Sequence, residues 1–205
     1  MPVIVIANPK GGVGKSTLAT NVAGCLAAAG HAVMLGDVDR QQSARQWLAA
    51  RPPQAASIAG WDVAADDIVR PPRGTTHVVL DTPAALHGKR LEAVLRIAER
   101  LIVPVQASLF DIQATHGFLQ ALREHKRGAA IETVLVANRV REHTRANEQL
   151  QRYVQTLPVP VVAWLRETQN YVQLAAHGLT LFDVAPGRVE RDLEQWAPLV
   201  AWLRA

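Results

Sequence analysis

The 205-residue chain predicts an α/β fold: a doubly wound, mainly parallel sheet flanked by helices. Three observations carry that expectation. The candidate strands at 3–7, 33–39, 77–81 and 101–105 are near-continuous apolar runs, as expected of strands buried on both faces. They alternate along the chain with segments of helical period. The first run ends in a glycine cluster that feeds a helix, and the second and third end in aspartates.

Each element follows in order. Residues 3–7 form the first strand, and Pro9 to Thr17 the turn into the first helix, where Leu18, Val22, Cys25 and Leu26 share a face and Gly30 supplies a stop. Residues 33–39 read as a strand ending in Asp37 and Asp39 at alternating positions. The stretch 52–73, rich in Ala, Pro and Asp, is the least regular and receives no element. Residues 77–81 form a strand that ends in Asp81 and leads into Thr82-Pro83. Leu91, Val94, Leu95 and Ala98 mark a helix before the strand at 101–105. Helix 110–126 then precedes strand 131–138, helix 147–156 precedes strand 159–163, and helix 168–176 ends at Gly178. A last helix covers 189–204. No repeat or linker divides the chain, so one domain over 1–205 is expected.

The glycine cluster carries the chemistry. A strand that ends in glycines and opens a helix turns successive backbone N–H groups toward one point, where the helix N-terminus adds partial positive charge. Polyphosphate fits such a nest. The amides of Gly11, Gly12, Val13 and Gly14 would cradle it, Lys15 would neutralise the β- and γ-phosphates, and the Ser16 hydroxyl would hold Mg²⁺, with Thr17 close behind. Pro9 stands where the strict pattern G-x-x-x-x-G-K-[ST] has its first glycine, and Lys10 is a second lysine that such loops do not ordinarily need. Ligands of open α/β sheets sit off the strands' carboxyl ends, so Asp37, Asp39 and Asp81 converge on this site. Phosphoryl transfer asks mainly for positioning and charge stabilisation. Asp39 is the candidate acceptor for an attacking water, Asp37 a support for the loop or the metal-bound waters, and Asp81 a metal contact, direct or through water. Thr82-Pro83 is a candidate switch that senses the γ-phosphate.

These residues resemble the deviant Walker A ATPases of the ParA and MinD type. The match runs through Lys10-Gly11-Gly12-Val13-Gly14-Lys15-Ser16, Asp37-Val38-Asp39-Arg40-Gln41 and Val79-Leu80-Asp81-Thr82-Pro83, with echoes at Ile102-Val103-Pro104-Val105 and Val134-Leu135-Val136-Ala137-Asn138-Arg139. The resemblance implies ATP and Mg²⁺ as cofactors and a sandwich dimer in which Lys10 reaches the nucleotide of the other subunit. Asn138 matches a position that presents an amide to the purine, and an amide can pair with adenine N6 and N7; it can equally cap a turn. The family usually carries Pro where Arg40 stands here. Relatives with iron–sulfur clusters hold them with shared cysteines, whereas this chain has only Cys25. The chain is similar to short ParA members without an N-terminal helix-turn-helix region. Such members bind DNA without sequence preference, respond to a ParB-like or cargo adaptor that stimulates weak hydrolysis, and segregate or position DNA or another cargo.

Composition fits that expectation. A formal charge of +4 and a pI near 9.7 favour polyanions. Arg139, Arg141, Arg145 and Arg166 are the candidate DNA contacts. No stretch approaches ~18 apolar residues and no signal-peptide layout is present, so a cytoplasmic, nucleoid-associated protein is expected. A MinD-like membrane association is the alternative, since Leu193, Trp196, Val200 and Leu203 line one face of the last helix. The opposite face mixes Glu190, Asp192 and Glu194 with Arg191 and Arg204, whereas a membrane-surface helix is rich in Lys and Arg there. No stable membrane association is therefore expected. A nucleotide-binding scaffold with negligible turnover is the remaining alternative.

Overall fold

The computed structural model describes residues 2–63 and 71–205. Among these, seven strands form one all-parallel sheet in the order β3-β2-β4-β1-β5-β6-β7. The strands are β1 (Val3–Ile6), β2 (Val33–Asp37), β3 (Ile58–Trp61), β4 (His77–Asp81), β5 (Arg100–Val105), β6 (Glu132–Val140) and β7 (Val161–Arg166). The helices are α1 (Lys15–Ala28), α2 (Ser43–Ala49), α3 (Gly88–Ile97), α4 (Leu109–Glu124), α5 (Arg145–Val154), α6 (Asn170–Ala175) and α7 (Glu190–Arg204).

The apolar runs of the strands are explained by two cores, one on each face of the sheet. Ile4 and Ile6 of β1 point into a layer shared with α1, α2 and α7, whereas Val3 and Val5 point into a layer shared with α3 and α4. α1 is buried nearly all round rather than along one stripe. Its small residues allow this: a Cβ added at Gly24 would come within 2.4 Å of the Thr180 hydroxyl, so only glycine admits the 178–183 segment over the helix. That segment is fixed by Arg51, whose buried guanidinium pairs with Asp183 at 2.7 Å and also donates to the carbonyls of Ala56 and Gly178.

Two elements were not legible in the sequence. α2 follows Gln42, and β3 forms the sheet edge within the stretch expected to be irregular, pairing with β2 from Val33↔Ile58 to Gly36↔Trp61. With only four residues and Ala59-Gly60 exposed at its centre, β3 carries neither the period nor the propensity that marks a strand. Residues 64–70 of the same stretch lie outside the described residues. β7 is also displaced, running from Val161 through Arg166 rather than over 159–163.

The last helix lies on the core. Trp196, Leu199 and Leu203 of α7 are buried against β7 in the core layer that also contains α1, each leucine contributing about 1.5–3 kcal/mol. Among the described residues no helix is long and apolar enough to cross a membrane.

Candidate functional site

β1 lies mid-sheet with β4 and β5 on either side, so the loops leaving these three strands share one edge of the sheet. Sheets of this kind bind ligands at such a crossover point. The turn from β1 to α1 occupies it. Gly12 and Gly14 adopt φ of +80° and +90°, a region that side chains resist. At Gly14 space is also lacking, because a Cβ would come within 2.2 Å of Asn138 Nδ2.

Polar side chains at the ends of neighbouring strands brace this turn. Buried Asn8 donates to the Pro104 carbonyl at 2.8 Å and the Thr115 hydroxyl at 2.9 Å, and accepts from the Lys10 N–H at 2.8 Å. Gln106 donates to the Gly12 carbonyl at 3.0 Å. Asn138 donates to the Val13 carbonyl at 2.8 Å and accepts from the Arg139 N–H. Pro9 can replace glycine because only its carbonyl is used, accepting from the Ala85 N–H at 2.8 Å. Asn8 and Gln106 were missed in the sequence; the available signal was a polar residue placed directly after a buried strand.

Lys15 is buried, and its ammonium donates to the Lys10 carbonyl at 2.8 Å. Burial lowers its pKa, while the charges of Asp81 and Asp39 raise it. Lys10 itself is exposed, and its ammonium has no hydrogen bond or ion pair among the described residues. Two lysines five positions apart thus have opposite environments. Lys15 is already seated in its own loop, whereas Lys10 is free to reach outward.

The three aspartates converge but differ in their surroundings. Asp81 is fully buried, and among the described residues its carboxylate is faced by the Ser16 hydroxyl alone and is otherwise without a hydrogen-bond partner. Burial pushes its pKa up to about 7, opposed by the facing Ser16 hydroxyl and by Lys15. Asp37 is spent on the backbone: Oδ1 accepts from the Asp39 N–H at 2.9 Å, and Oδ2 from the Ala44 N–H at 2.9 Å and the Arg45 N–H at 3.3 Å. It therefore caps α2 from seven residues away, which favours loop support over contact with metal-bound waters. Burial raises its pKa despite these bonds. Asp39 lies just beyond β2, half-buried, with Oδ1 accepting from the Gln41 N–H at 3.0 Å and Oδ2 without a hydrogen-bond partner among the described residues. Gln42, at φ +52°, clamps this turn by donating to the Asp37 and Asp39 carbonyls. Arg40 is exposed there, without a polar partner among the described residues.

Thr82, expected in a γ-phosphate switch segment, has a buried hydroxyl that donates to the Ile6 carbonyl at 2.8 Å, tying the end of β4 to β1. The segment next to the loop is Ala84-Ala85. Ala85 sits at φ +56°, which costs about 1–2 kcal/mol for a residue with a Cβ, and its N–H holds Pro9.

The basic candidates divide. Arg139 and Arg145 are exposed without a salt bridge among the described residues. Arg141 pairs with Glu167, and Arg166 with buried Asp192 at 2.5 Å. Arg139 and Arg166 also line a cleft of about 440 Å³ that opens beside Thr17 and Asn138, off the end of the phosphate-type loop.

Sheet order and loop together define the class as a P-loop nucleotide-binding protein. Within it, the chain belongs to the CobQ/CobB/MinD/ParA nucleotide-binding domain family, whose model matches residues 4–181. It is 36% identical over 116 residues to the maintenance of carboxysome distribution protein A of Gloeobacter kilaueensis, across 54% of this chain and 51% of that one. It is 31% identical over 158 residues to the chromosome-partitioning ATPase Soj of Thermus thermophilus, across 61% of this chain and 63% of that one. The matched stretches thus span between half and two thirds of these relatives. In fold it is similar to the septum site-determining protein MinD of Pyrococcus horikoshii, complexed with Mg-ADP, with a TM-score of 0.74, 15% identity and coverage of 98% and 95% of the two chains.

The glycine geometry makes a first prediction. Gly14→Ala forces the Asn138 amide away and strains the turn, so ATP affinity is expected to fall about tenfold or more with the fold retained. Isothermal titration with AMPPNP beside a thermal melt checks it, and an unchanged affinity would show that the turn tolerates the side chain.

Proposed function

We propose that residues 1–205 form one ATPase domain that dimerises on ATP, binds DNA without sequence preference and hydrolyses ATP to segregate or position an intracellular cargo. One observation carries this reading. Lys10 is an exposed cation without a partner among the described residues, at the mouth of a phosphate-type loop whose own lysine is already seated. A cation so placed complements the triphosphate of a second protomer. Leu109 and Phe110, 62% and 72% exposed, start α4 three and four residues after Gln106, which touches the loop, and they offer the same rim apolar surface for association.

Within each protomer, the nest of residues 11–14 binds the phosphates, Lys15 neutralises them and Asp39 orients the attacking water through its unpartnered oxygen. Asp37 positions the Asp39 turn. The buried carboxylate of Asp81, faced by the Ser16 hydroxyl and otherwise unsatisfied among the described residues, suits a Mg²⁺ ion held by that hydroxyl and, directly or through water, by Asp81. Bound there, Mg²⁺ supplies charge neutralisation at the phosphates.

Asn138, already holding Val13, also borders the cleft that would take the adenine. Of the four DNA candidates, Arg139 and Arg145 are the better placed, because Arg141 and Arg166 are paired. The carboxysome-distribution and chromosome-partitioning relatives support positioning of a cargo through an adaptor, ParB-like or otherwise, that stimulates hydrolysis on the nucleoid. A membrane role is less well supported, because the apolar side chains of α7 are buried in the core.

Light scattering of the wild-type chain with AMPPNP and Mg²⁺, followed by DNA filter binding across a salt series, tests the reading. The expected result is a nucleotide-dependent dimer whose DNA affinity falls steeply with salt. A chain that stays monomeric at saturating nucleotide would overturn it.

A further inference from the structure

The cleft beside Asn138 has one wall built from the end of β7 and from α6, including Arg166, Tyr171 and Val172, the last 63% exposed. Three residues on one face of α7 hold that wall. Asp192, fully buried, accepts from Arg166 Nε at 2.5 Å through one oxygen and from Asn170 Nδ2 at 2.6 Å through the other. Gln195 Oε1 accepts from the Arg166 N–H at 2.8 Å. Trp196 Nε1 donates to the Tyr171 hydroxyl at 2.8 Å, and the indole packs edge-on against Phe182 with ring centroids 5.5 Å apart.

α6 has six residues, none of them fully buried, and only Tyr171 and Leu174 pack partly against the core, so packing alone holds it weakly. Hydrogen bonds from α7 complete its seating and set the direction of Arg166. No contact among these joins α7 to the turn at residues 9–14, which is braced separately by Asn8, Gln106 and Asn138. The phosphate end and the far wall of the site therefore rest on different supports.

We propose that α7 shapes the wall that receives the nucleobase, with Asp192 as its positioning residue, so that seating of the C-terminal helix and nucleotide affinity are coupled. The inference rests on the nucleotide-binding reading above and deepens it. Coupling of this kind is reciprocal: a partner that grips α7 changes nucleotide affinity, and bound nucleotide tightens α7. Asp192 does not line the cleft. It acts through Arg166 and Asn170.

The test compares two probes in the full chain: AMPPNP, which would use turn and cleft together, and inorganic tripolyphosphate, which would use the turn alone. Asp192→Asn leaves one donor facing an amide donor, and AMPPNP affinity is expected to drop about tenfold, within the range of coupling through such networks. Tripolyphosphate affinity stays unchanged. Gln195→Met removes a single acceptor from a half-buried position and is expected to weaken AMPPNP by about threefold with the same selectivity, which carries the test should Asp192→Asn fail to fold. Equal loss for both probes, or loss for neither, overturns the inference. A wild-type chain that binds neither probe instead overturns the nucleotide reading beneath it.

Discussion

Asp39→Ala is expected to lower the rate of ATP hydrolysis by about 10²–10⁴ while ATP stays bound and the dimer persists, the size of effect typical of losing a proton acceptor. The structure separates the two aspartates of this segment by what their oxygens do. Asp37 has both engaged by backbone N–H groups of the Asp39 turn and α2. Asp39 has one oxygen in a local turn and the other bare, close enough to Lys15 and Asp81 for its charge to act on both. Asp39 therefore offers water the freer oxygen, whereas each Asp37 oxygen is already held by backbone N–H groups. Asp37→Ala should instead strip α2 of its cap, costing about 1–2 kcal/mol of stability and disturbing turnover indirectly. Phosphate release measured beside light scattering in ATP distinguishes the two. Unchanged turnover in Asp39→Ala would remove the residue from the chemistry.

Most of the parallel sheet and the phosphate-type turn were legible in the sequence because their signals are local. Val3 to Ile6 must be buried on both faces to be so apolar, and glycines at 12 and 14 before Lys15-Ser16 state a backbone requirement that no packing overrides. What escaped was set by tertiary contacts. β3 is a strand because β2 offers it an edge, and nothing in Ile58-Ala59-Gly60-Trp61 announces that. α2 starts where Asp37 supplies a cap from outside the helix, whereas sequence rules look for the cap next to it. The Thr82 hydroxyl faces the Ile6 carbonyl across the sheet, a contact that its place after Asp81 does not announce. Likewise Arg166 counted as a basic residue only until its partner Asp192, 26 positions away, was visible.

Lys10→Ala is expected to abolish the nucleotide-dependent dimer over the concentrations at which the wild-type chain forms it. AMPPNP binding by the monomer should remain. The expectation follows from how differently the two lysines are held. Lys15 is buried on the Lys10 carbonyl and serves its own loop, so its loss would weaken nucleotide binding in any oligomeric state. The Lys10 backbone is fixed by Asn8 and by Lys15, whereas its ammonium projects without a partner among the described residues. Truncating the side chain therefore leaves no orphaned group in the monomer, and the turn keeps its shape. In a dimer closed over two triphosphates the same ammonium would be desolvated against phosphate, and truncating one member of such a pair costs about 2–5 kcal/mol. Symmetry applies that cost twice, because each protomer would supply one lysine. Lys10→Arg keeps the charge but changes reach and donor geometry, so partial dimerisation is expected of it. Sedimentation of all three proteins with AMPPNP and Mg²⁺ decides the matter: if Lys10→Ala sediments as the wild type does, the second lysine is an ordinary surface residue and the ATP-closed dimer needs another source of cross-subunit charge.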